Sequence, residues 1–166
     1  MKLNNTVMFA CNVGGHFSQM MALSELFGIY NSILVTDNER ASRTMPQLKD
    51  ITYIEVVNSG REKVKANQSN RLNFVIGYLK SFIVYRRVWK KYRPKVIVST
   101  GSNIAVPLFW IGKIHGSKLI FIETRAKVYA RSLTGILVRK FADKIYVQWP
   151  EMLSLYPEAE YYGTLV

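Results

Sequence analysis

The chain has 166 residues, 49% of them hydrophobic, and 23 lysines and arginines against 11 acidic residues give it a net charge of +12. This composition excludes a disordered tail and predicts one domain, residues 1–166, with a substantial core. One cysteine excludes an internal disulfide, and two scattered histidines argue against a zinc site, so no metal is expected. No cofactor is expected either. The sequence predicts no signal peptide, and no apolar run approaches the roughly 18 residues of a spanning helix.

Short runs rich in valine and isoleucine alternate with segments of helical periodicity along the chain. The predicted strands are 6–12, 32–36, 51–57, 95–99, 119–122 and 144–148. The predicted helices are 17–27, closed by Gly28, then 39–48, 71–92, 104–114, 132–142 and a short one at 150–156. This alternation predicts an α/β fold, a Rossmann-like doubly wound parallel sheet with the strand order 3-2-1-4-5-6.

The first strand runs into two glycines, Gly14 and Gly15, followed by His16 at the start of a helix. Consecutive glycines allow a sharp turn and close approach of a ligand, and the amides of a helix start favour phosphate or pyrophosphate. The histidine can donate, accept or carry charge near neutral pH. A purely structural turn remains the alternative, because glycine pairs between strand and helix are common in α/β proteins.

A second turn follows the fourth strand at Ser99, Thr100 and Gly101. The predicted strand order places strands one and four side by side, so the two glycine turns should meet at the switch point of the sheet. Glu123 ends the neighbouring strand, so it is expected at the same end of the sheet as the two glycine turns. It is either a catalytic base or the cap of a neighbouring turn.

The basic excess allows several kinds of partner, since nearly every charged residue from Arg61 to Lys95 is basic. Such a patch suits nucleic acid, an anionic bilayer or a phosphate-bearing ligand. A dinucleotide enzyme would use Asp37 on ribose, but the motif G-x-G-x-x-G is missing, as are the P-loop and the nucleophile elbow. A nucleic-acid-binding module would stack bases on Tyr85, Trp89 and Tyr92, although aromatic residues at helical spacing usually belong to the core.

Several of these motifs together resemble a known family. Gly14-Gly15-His16 with Gln19 and Leu23, then Ser99-Thr100-Gly101 with Pro107, are similar to the acceptor-side halves of GT-B glycosyltransferases. The likeness continues through Ile122-Glu123-Thr124, Ser132-Leu133-Thr134-Gly135, Ala142-Asp143, Val147-Gln148-Trp149 and Tyr161-Tyr162-Gly163. The whole chain resembles the membrane-associated subunit of the two-part UDP-N-acetylglucosamine transferase that makes dolichol-linked chitobiose, and even more its bacterial relatives in capsule and exopolysaccharide synthesis. It is more distantly similar to the N-terminal half of the peptidoglycan N-acetylglucosaminyltransferase.

The resemblance implies a glycosyltransferase subunit that is inactive without its partner. The partner subunit would bind the nucleotide sugar, and this chain would hold a polyprenyl-pyrophosphate-linked acceptor. A peripheral position on the cytoplasmic face of the cell membrane is implied, with contact to an anionic surface through amphipathic helices 71–92 and 104–114. No nucleic acid is expected as a partner.

The resemblance also assigns roles to residues. His16 and Glu123 become the catalytic candidates. The acceptor and its pyrophosphate would contact Gly14, Gly15, Arg61, Ser99, Thr100, Gly101 and Lys127. The family usually has arginine at the position of Lys127, and a lysine would contact an anion as a point charge instead of in a bidentate manner. Partner docking falls to Tyr162, Gly163 and Leu165, unless this C-terminal segment only closes the edge of its own sheet.

Overall fold

The computed structural model of the chain describes residues 3–37, 48–57 and 71–165, without the side chains of 3, 4 and 71–80. The strands in these ranges are β1 Leu3–Ala10, β2 Tyr30–Thr36, β3 Tyr53–Val56, β4 Val96–Ser99, β5 Lys118–Ile122, β6 Lys144–Val147 and β7 Glu160–Tyr161. The helices are α1 Gly15–Met21, α2 Glu25–Ile29, α3 Arg71–Tyr92, α4 Ala105–Ile114 and α5 Leu133–Val138, with a 3₁₀ turn at Pro150–Ser154. Most of the predicted helix 39–48 and the whole loop 58–70, including Arg61, lie outside the described residues.

The strands form one parallel sheet in the order β3-β2-β1-β4-β5-β6-β7. The predicted Rossmann-like topology is therefore confirmed. β1 lies inside the sheet, where Phe9 is paired with Leu34 of β2 on one side and Val98 of β4 on the other. Because the chain leaves β1 and β4 in opposite directions across the sheet, the loops after these strands flank the switch point.

Alternating residues of the central strands pack into two cores, one on each face of the sheet. Met8 and Ala10 belong to the core covered by α3, α4 and α5. Phe9 and Cys11 belong to the core covered by α1 and α2. Cys11 is fully buried, as expected of a small core residue, and burial raises the pKa of its thiol well above the usual range. Both faces of the central strands are thus covered by packed helices, so a binding site is expected at the ends of the strands.

Two predicted helices differ from the structure. The predicted helix 17–27 is two helices, because the chain turns at 22–24, and Gly28 lies inside α2 instead of ending the helix. Beyond this turn, Phe27 packs edge-on against Phe9 with ring centroids 4.8 Å apart. The predicted helix 132–142 is shortened to α5, which Ser132 caps by accepting a hydrogen bond from the Gly135 amide at 2.9 Å.

Candidate functional site at the carboxyl ends of β1, β4 and β5

The glycine turns after β1 and β4 meet as predicted, and two reciprocal hydrogen bonds join them. His16 Nδ1 lies 2.8 Å from the carbonyl oxygen of Thr100, and the Thr100 hydroxyl donates to the His16 carbonyl at 2.7 Å. These contacts link residues 84 positions apart in sequence. The juxtaposition fixes the His16 ring at the switch point of the sheet.

The contact with Thr100 also determines the tautomer of His16. A carbonyl oxygen only accepts hydrogen bonds, so the 2.8 Å contact requires a proton on Nδ1. In the neutral ring, Nε2 then carries the lone pair. His16 is half-buried, and in this tautomer Nε2 can accept a proton or a hydrogen bond from a ligand.

Gly101 is needed because the His16 ring lies directly on it. Its φ of 108° is in the left-handed region, and a Cβ there would stand 2.7 Å from His16 Cε1. The Ser99 hydroxyl holds this turn in place, because its single proton lies between the carbonyl oxygens of Ala10 and Gly101, at oxygen–oxygen distances of 2.7 and 3.0 Å. The turn that contains the predicted binding residues Ser99, Thr100 and Gly101 therefore packs against His16. The Ser99 hydroxyl is used in the hydrogen bonds that hold this turn.

A polar network at the ends of β1, β2 and β4 was missed by the sequence interpretation. Asn12 Nδ2 donates to the Asp37 carboxylate at 2.6 Å and to Asn103 Oδ1 at 3.0 Å. The Val13 amide donates to the second Asp37 oxygen at 3.0 Å, and the Asn12 amide reaches the Ser102 hydroxyl at 3.3 Å. The available signal was that polar residues follow directly after three buried strands. The network fixes the path of the chain into Gly14, whose φ is 109°.

Glu123 lies at the predicted strand end, but the residue is only 1% exposed. One oxygen accepts from the Thr124 amide at 2.9 Å. The other accepts from the amide and hydroxyl of Ser132, at 3.1 and 3.0 Å, and from the Tyr156 hydroxyl at 2.6 Å. Burial and the bond to Glu123 raise the pKa of Tyr156 beyond its usual range, so Tyr156 stays a donor. Of the two roles predicted for Glu123, this geometry favours the cap.

The bonds to Glu123 hold both ends of loop 124–132, which carries exposed Arg125 and Lys127 and half-buried Arg131. The loop is also tied to α1, because the Arg125 amide donates to Gln19 Oε1 at 3.0 Å. The Lys127 amide donates to the Thr124 carbonyl at 3.0 Å, and the residue is exposed. Loop 124–132 thus adds positive charge next to the two glycine turns.

The C-terminal segment forms part of its own sheet and then folds back across it. Glu160 and Tyr161 pair with β6 as strand β7, which corresponds to the alternative in which this segment closes the edge of its own sheet. Leu165 packs into the α1–α2 core, whereas Tyr162 is 82% exposed. Beside this tail lies a cavity of about 330 Å³, lined mainly by Leu23, Leu26, Ile120, Tyr146, Tyr162 and Leu165.

An apolar groove lies on the opposite face, between α3, α4 and α5. It has a volume of about 560 Å³ and is lined by Phe82, Val106, Trp110, Leu137 and Phe141. Phe82 and Trp110 pack edge-on with centroids 5.9 Å apart, yet Trp110 remains 49% exposed. Within the described ranges, none of the helices combines the length and hydrophobicity that a bilayer-spanning segment requires.

The structure also bears on the two alternative functions. Asp37 binds the chain's own β1 turn through both oxygens, which disfavours a role on ribose. Tyr85 is 1% exposed and Trp89 donates to the Ser117 hydroxyl at 2.9 Å, so these aromatic residues belong to the core. The observed packing therefore gives no support to base stacking on this helix.

The sheet order and the two facing glycine turns define a Rossmann-like, doubly wound α/β domain. The fold is similar to MurG of Acinetobacter baumannii (TM-score 0.63, 16% identity), covering 89% of this chain and 42% of that one. It is also similar to the UDP-N-acetylglucosamine 2-epimerase of Rickettsia bellii (TM-score 0.63, 12% identity), covering 98% and 46%. The chain spans less than half the length of either structure.

The chain belongs to the family described as "Oligosaccharide biosynthesis protein Alg14 like", which it matches over residues 7–165. It is 30% identical to the UDP-N-acetylglucosamine transferase subunit ALG14 of Kluyveromyces lactis, over 99% of this chain and 80% of the relative. The mouse protein of the same name is 20% identical over 96% of this chain and 82% of its own length.

Proposed function

We propose that this chain is the acceptor-side subunit of a two-part glycosyltransferase. The complex would transfer N-acetylglucosamine or a related hexose from a nucleotide sugar to a polyprenyl-pyrophosphate-linked acceptor. The observation that carries the proposal is the hydrogen-bonded contact between the turns after β1 and β4, which sets His16 beside Thr100 and Gly101. The names of the relatives, subunits of a UDP-N-acetylglucosamine transferase, support the reaction class and the donor.

In this proposal, the pyrophosphate of the acceptor lies over the two glycine turns. Backbone amides of Gly14 and Gly15 donate to it, and Lys127 and Arg61 supply positive charge, Arg61 from outside the described residues. His16 Nε2 faces the sugar hydroxyl or the pyrophosphate as an acceptor, because Nδ1 is engaged with Thr100. Glu123 acts through loop 124–132 and not as the base, since all its contacts are with the protein's own donors.

The partner subunit binds the nucleotide sugar and docks at the C-terminal tail in this proposal. Exposed Tyr162 offers an aromatic contact, and Gly163 and Leu165 line the cavity beside it. An apolar side chain of the partner would fill this cavity and cover the face of β5 and β6. Pairing of β7 with β6 supports the competing role of the segment as an edge strand, so the docking surface is limited to residues 162–165.

The test of the proposed function is reconstitution. We expect the purified chain alone to transfer no sugar, and the chain mixed with its nucleotide-sugar-binding partner to glycosylate a polyprenyl-pyrophosphate-linked acceptor from UDP-N-acetylglucosamine. Product is followed by mass spectrometry, with other nucleotide sugars supplied in parallel. Robust transfer by the chain alone would contradict the two-part proposal, and inactivity of the pair with every nucleotide sugar would contradict the reaction class.

The setting proposed for this reaction is the cytoplasmic face of a bacterial cell membrane, in capsule or exopolysaccharide synthesis. The apolar groove between α3, α4 and α5 supports peripheral contact with the bilayer. Leu133 and Ile136 of α5 add further exposed apolar surface beside it. Exposed basic residues on α3 and α4, and one just after α5, suit anionic headgroups: Arg86, Arg87, Lys90, Lys113 and Lys140.

We expect Trp110→Glu to weaken binding to anionic vesicles by about tenfold or more, because a charged group replaces an apolar anchor in the groove. Binding of the unaltered chain should fall at high salt, since each basic residue near such a surface contributes about 1 kcal/mol. Vesicle sedimentation measures both effects. The matched control is Ile29→Glu, at an isoleucine of similar exposure (45%) in α2 on the opposite face. Equal losses for the two variants would exclude the groove as the membrane contact.

A further inference from the structure

Two buried glutamine side chains connect the C-terminal tail to the interior. Gln148, which follows β6, is 2% exposed, and Gln19 of α1 is 5% exposed. Gln148 Oε1 accepts from the Leu165 amide at 2.9 Å. Gln148 Nε2 donates to the Glu123 carbonyl at 2.9 Å and to Gln19 Oε1. The tail is therefore bonded to a side chain that itself holds a residue of the helix after the first glycine turn.

Gln19 extends this chain of hydrogen bonds to the site. Its Nε2 donates to the Gly15 carbonyl at 3.0 Å and lies 3.4 Å from the Thr124 hydroxyl oxygen. Its Oε1 accepts from the Arg125 amide at 3.0 Å as well as from Gln148. Two side chains thus bond the tail, the first glycine turn and the start of loop 124–132 to one another.

The two amide groups have a single consistent orientation. Rotating the Gln148 amide by half a turn would place its NH₂ against the Leu165 amide and its oxygen against Gln19 Oε1. Both new contacts are repulsive, and buried polar groups left without their hydrogen bonds destabilise the folded state. The bond to the tail and the bond to Gln19 therefore depend on the same orientation of Gln148.

We propose that Gln148 and Gln19 are positioning residues that couple the C-terminal tail to the acceptor turn. When residues 162–165 are held in place, Gln148 keeps its orientation, and Gln19 then fixes Gly15 and Arg125. The inference rests on the proposed function, in which the partner docks on this tail and the acceptor lies on this turn. Partner docking would thereby order the acceptor site before substrate binds.

The hydrogen-bond coupling can be measured on the chain alone, by amide hydrogen exchange of Arg125. Leu165→Pro removes the N–H that binds Gln148 but keeps the length of the chain. We expect it to speed exchange of the Arg125 amide by about tenfold, through local opening. In a Gln148→Met background, the same proline should have no further effect on Arg125. The internal control is the Thr124 amide, which donates to Glu123 and should exchange at an unchanged rate.

Leu165→Ala is the matched control for this experiment, because it keeps the amide and removes only apolar contact. If it speeds Arg125 exchange as much as Leu165→Pro does, packing of the tail carries the effect and the inference is overturned. An unchanged Arg125 rate in Leu165→Pro overturns it as well. These outcomes do not depend on catalysis, so they are separate from failure of the proposed function.

The consequence for the reaction is a split between kinetic constants in the reconstituted pair. We expect Gln148→Met to lower kcat by about tenfold, with the KM for the nucleotide sugar and the affinity for the partner changed less than about threefold. The control is Asn31→Ala, which removes an amide bonded to the Thr6 hydroxyl at the other end of the sheet. A fall in partner affinity with normal kcat would make Gln148 a docking residue only and overturn the coupling.

Discussion

His16→Ala is expected to lower kcat of the reconstituted transferase by about 100-fold or more, the range of a lost general acid–base group. The reason is the tautomer, since the Thr100 carbonyl holds the proton on Nδ1 and leaves the lone pair on Nε2 for the acceptor. Folding should change little, because one net hydrogen bond is worth about 0.5–1.5 kcal/mol. Single-turnover kinetics at saturating acceptor separates the chemical step from binding.

Two variants separate catalysis by His16 from its structural contact. His16→Asn places an amide donor near the position of Nδ1 and can keep the bond to Thr100, but it has no counterpart of Nε2. It should therefore fold normally and be as slow as His16→Ala. His115→Ala is the matched control, because His115 is also half-buried with Nδ1 on a carbonyl, that of Ile111 at 2.9 Å. Full activity of His16→Asn would reduce His16 to a structural link between the turns.

The meeting of the two glycine turns was predictable because it follows from topology. Val- and Ile-rich strands alternating with helices allow few strand orders, and the common one places β1 beside β4. The tautomer of His16 was not predictable, since it depends on the carbonyl of Thr100, 84 residues away. The break after α1 was missed for a similar reason: the apolar spacing of 17–27 suits a continuous helix, and the packing of Phe27 on Phe9 is a tertiary contact.

The role of Glu123 illustrates the same limit. A carboxylate at a strand end is compatible with a base or with a cap, and the sequence interpretation kept both. The distinction depends on Ser132 and Tyr156, which lie 9 and 33 residues further along the chain. Gln19 and Gln148 are 129 residues apart, so their contact could not be derived from local spacing. Motif reasoning located the site at the carboxyl ends of the strands. The role of each residue in that site depends on long-range hydrogen bonds.

Gly135→Ala is expected to lower the free energy of unfolding by about 3 kcal/mol, as the sum of overpacking and a damaged buried hydrogen bond. A Cβ at this position would stand 2.1 Å from the Tyr156 hydroxyl and 2.5 Å from Glu123 Oε2. Those two atoms bind each other inside the protein, so neither can move away without breaking a buried contact. Chemical denaturation of the isolated chain measures the loss.

The control for this substitution is Gly28→Ala, because Gly28 also lies within a helix but its Cβ would meet only Asp50, at 3.6 Å. There, alanine should be neutral or should stabilise the chain by up to about 1 kcal/mol through helix propensity. Adding Tyr156→Phe to Gly135→Ala removes the nearest clashing atom and should restore part of the stability. If Gly135→Ala changed the free energy of unfolding as little as Gly28→Ala does, the packing around Glu123 and Tyr156 would be loose. These contacts could then not anchor loop 124–132. Partial rescue by Tyr156→Phe would instead locate the strain at the Tyr156–Glu123 contact, the bond on which the capping role of Glu123 depends.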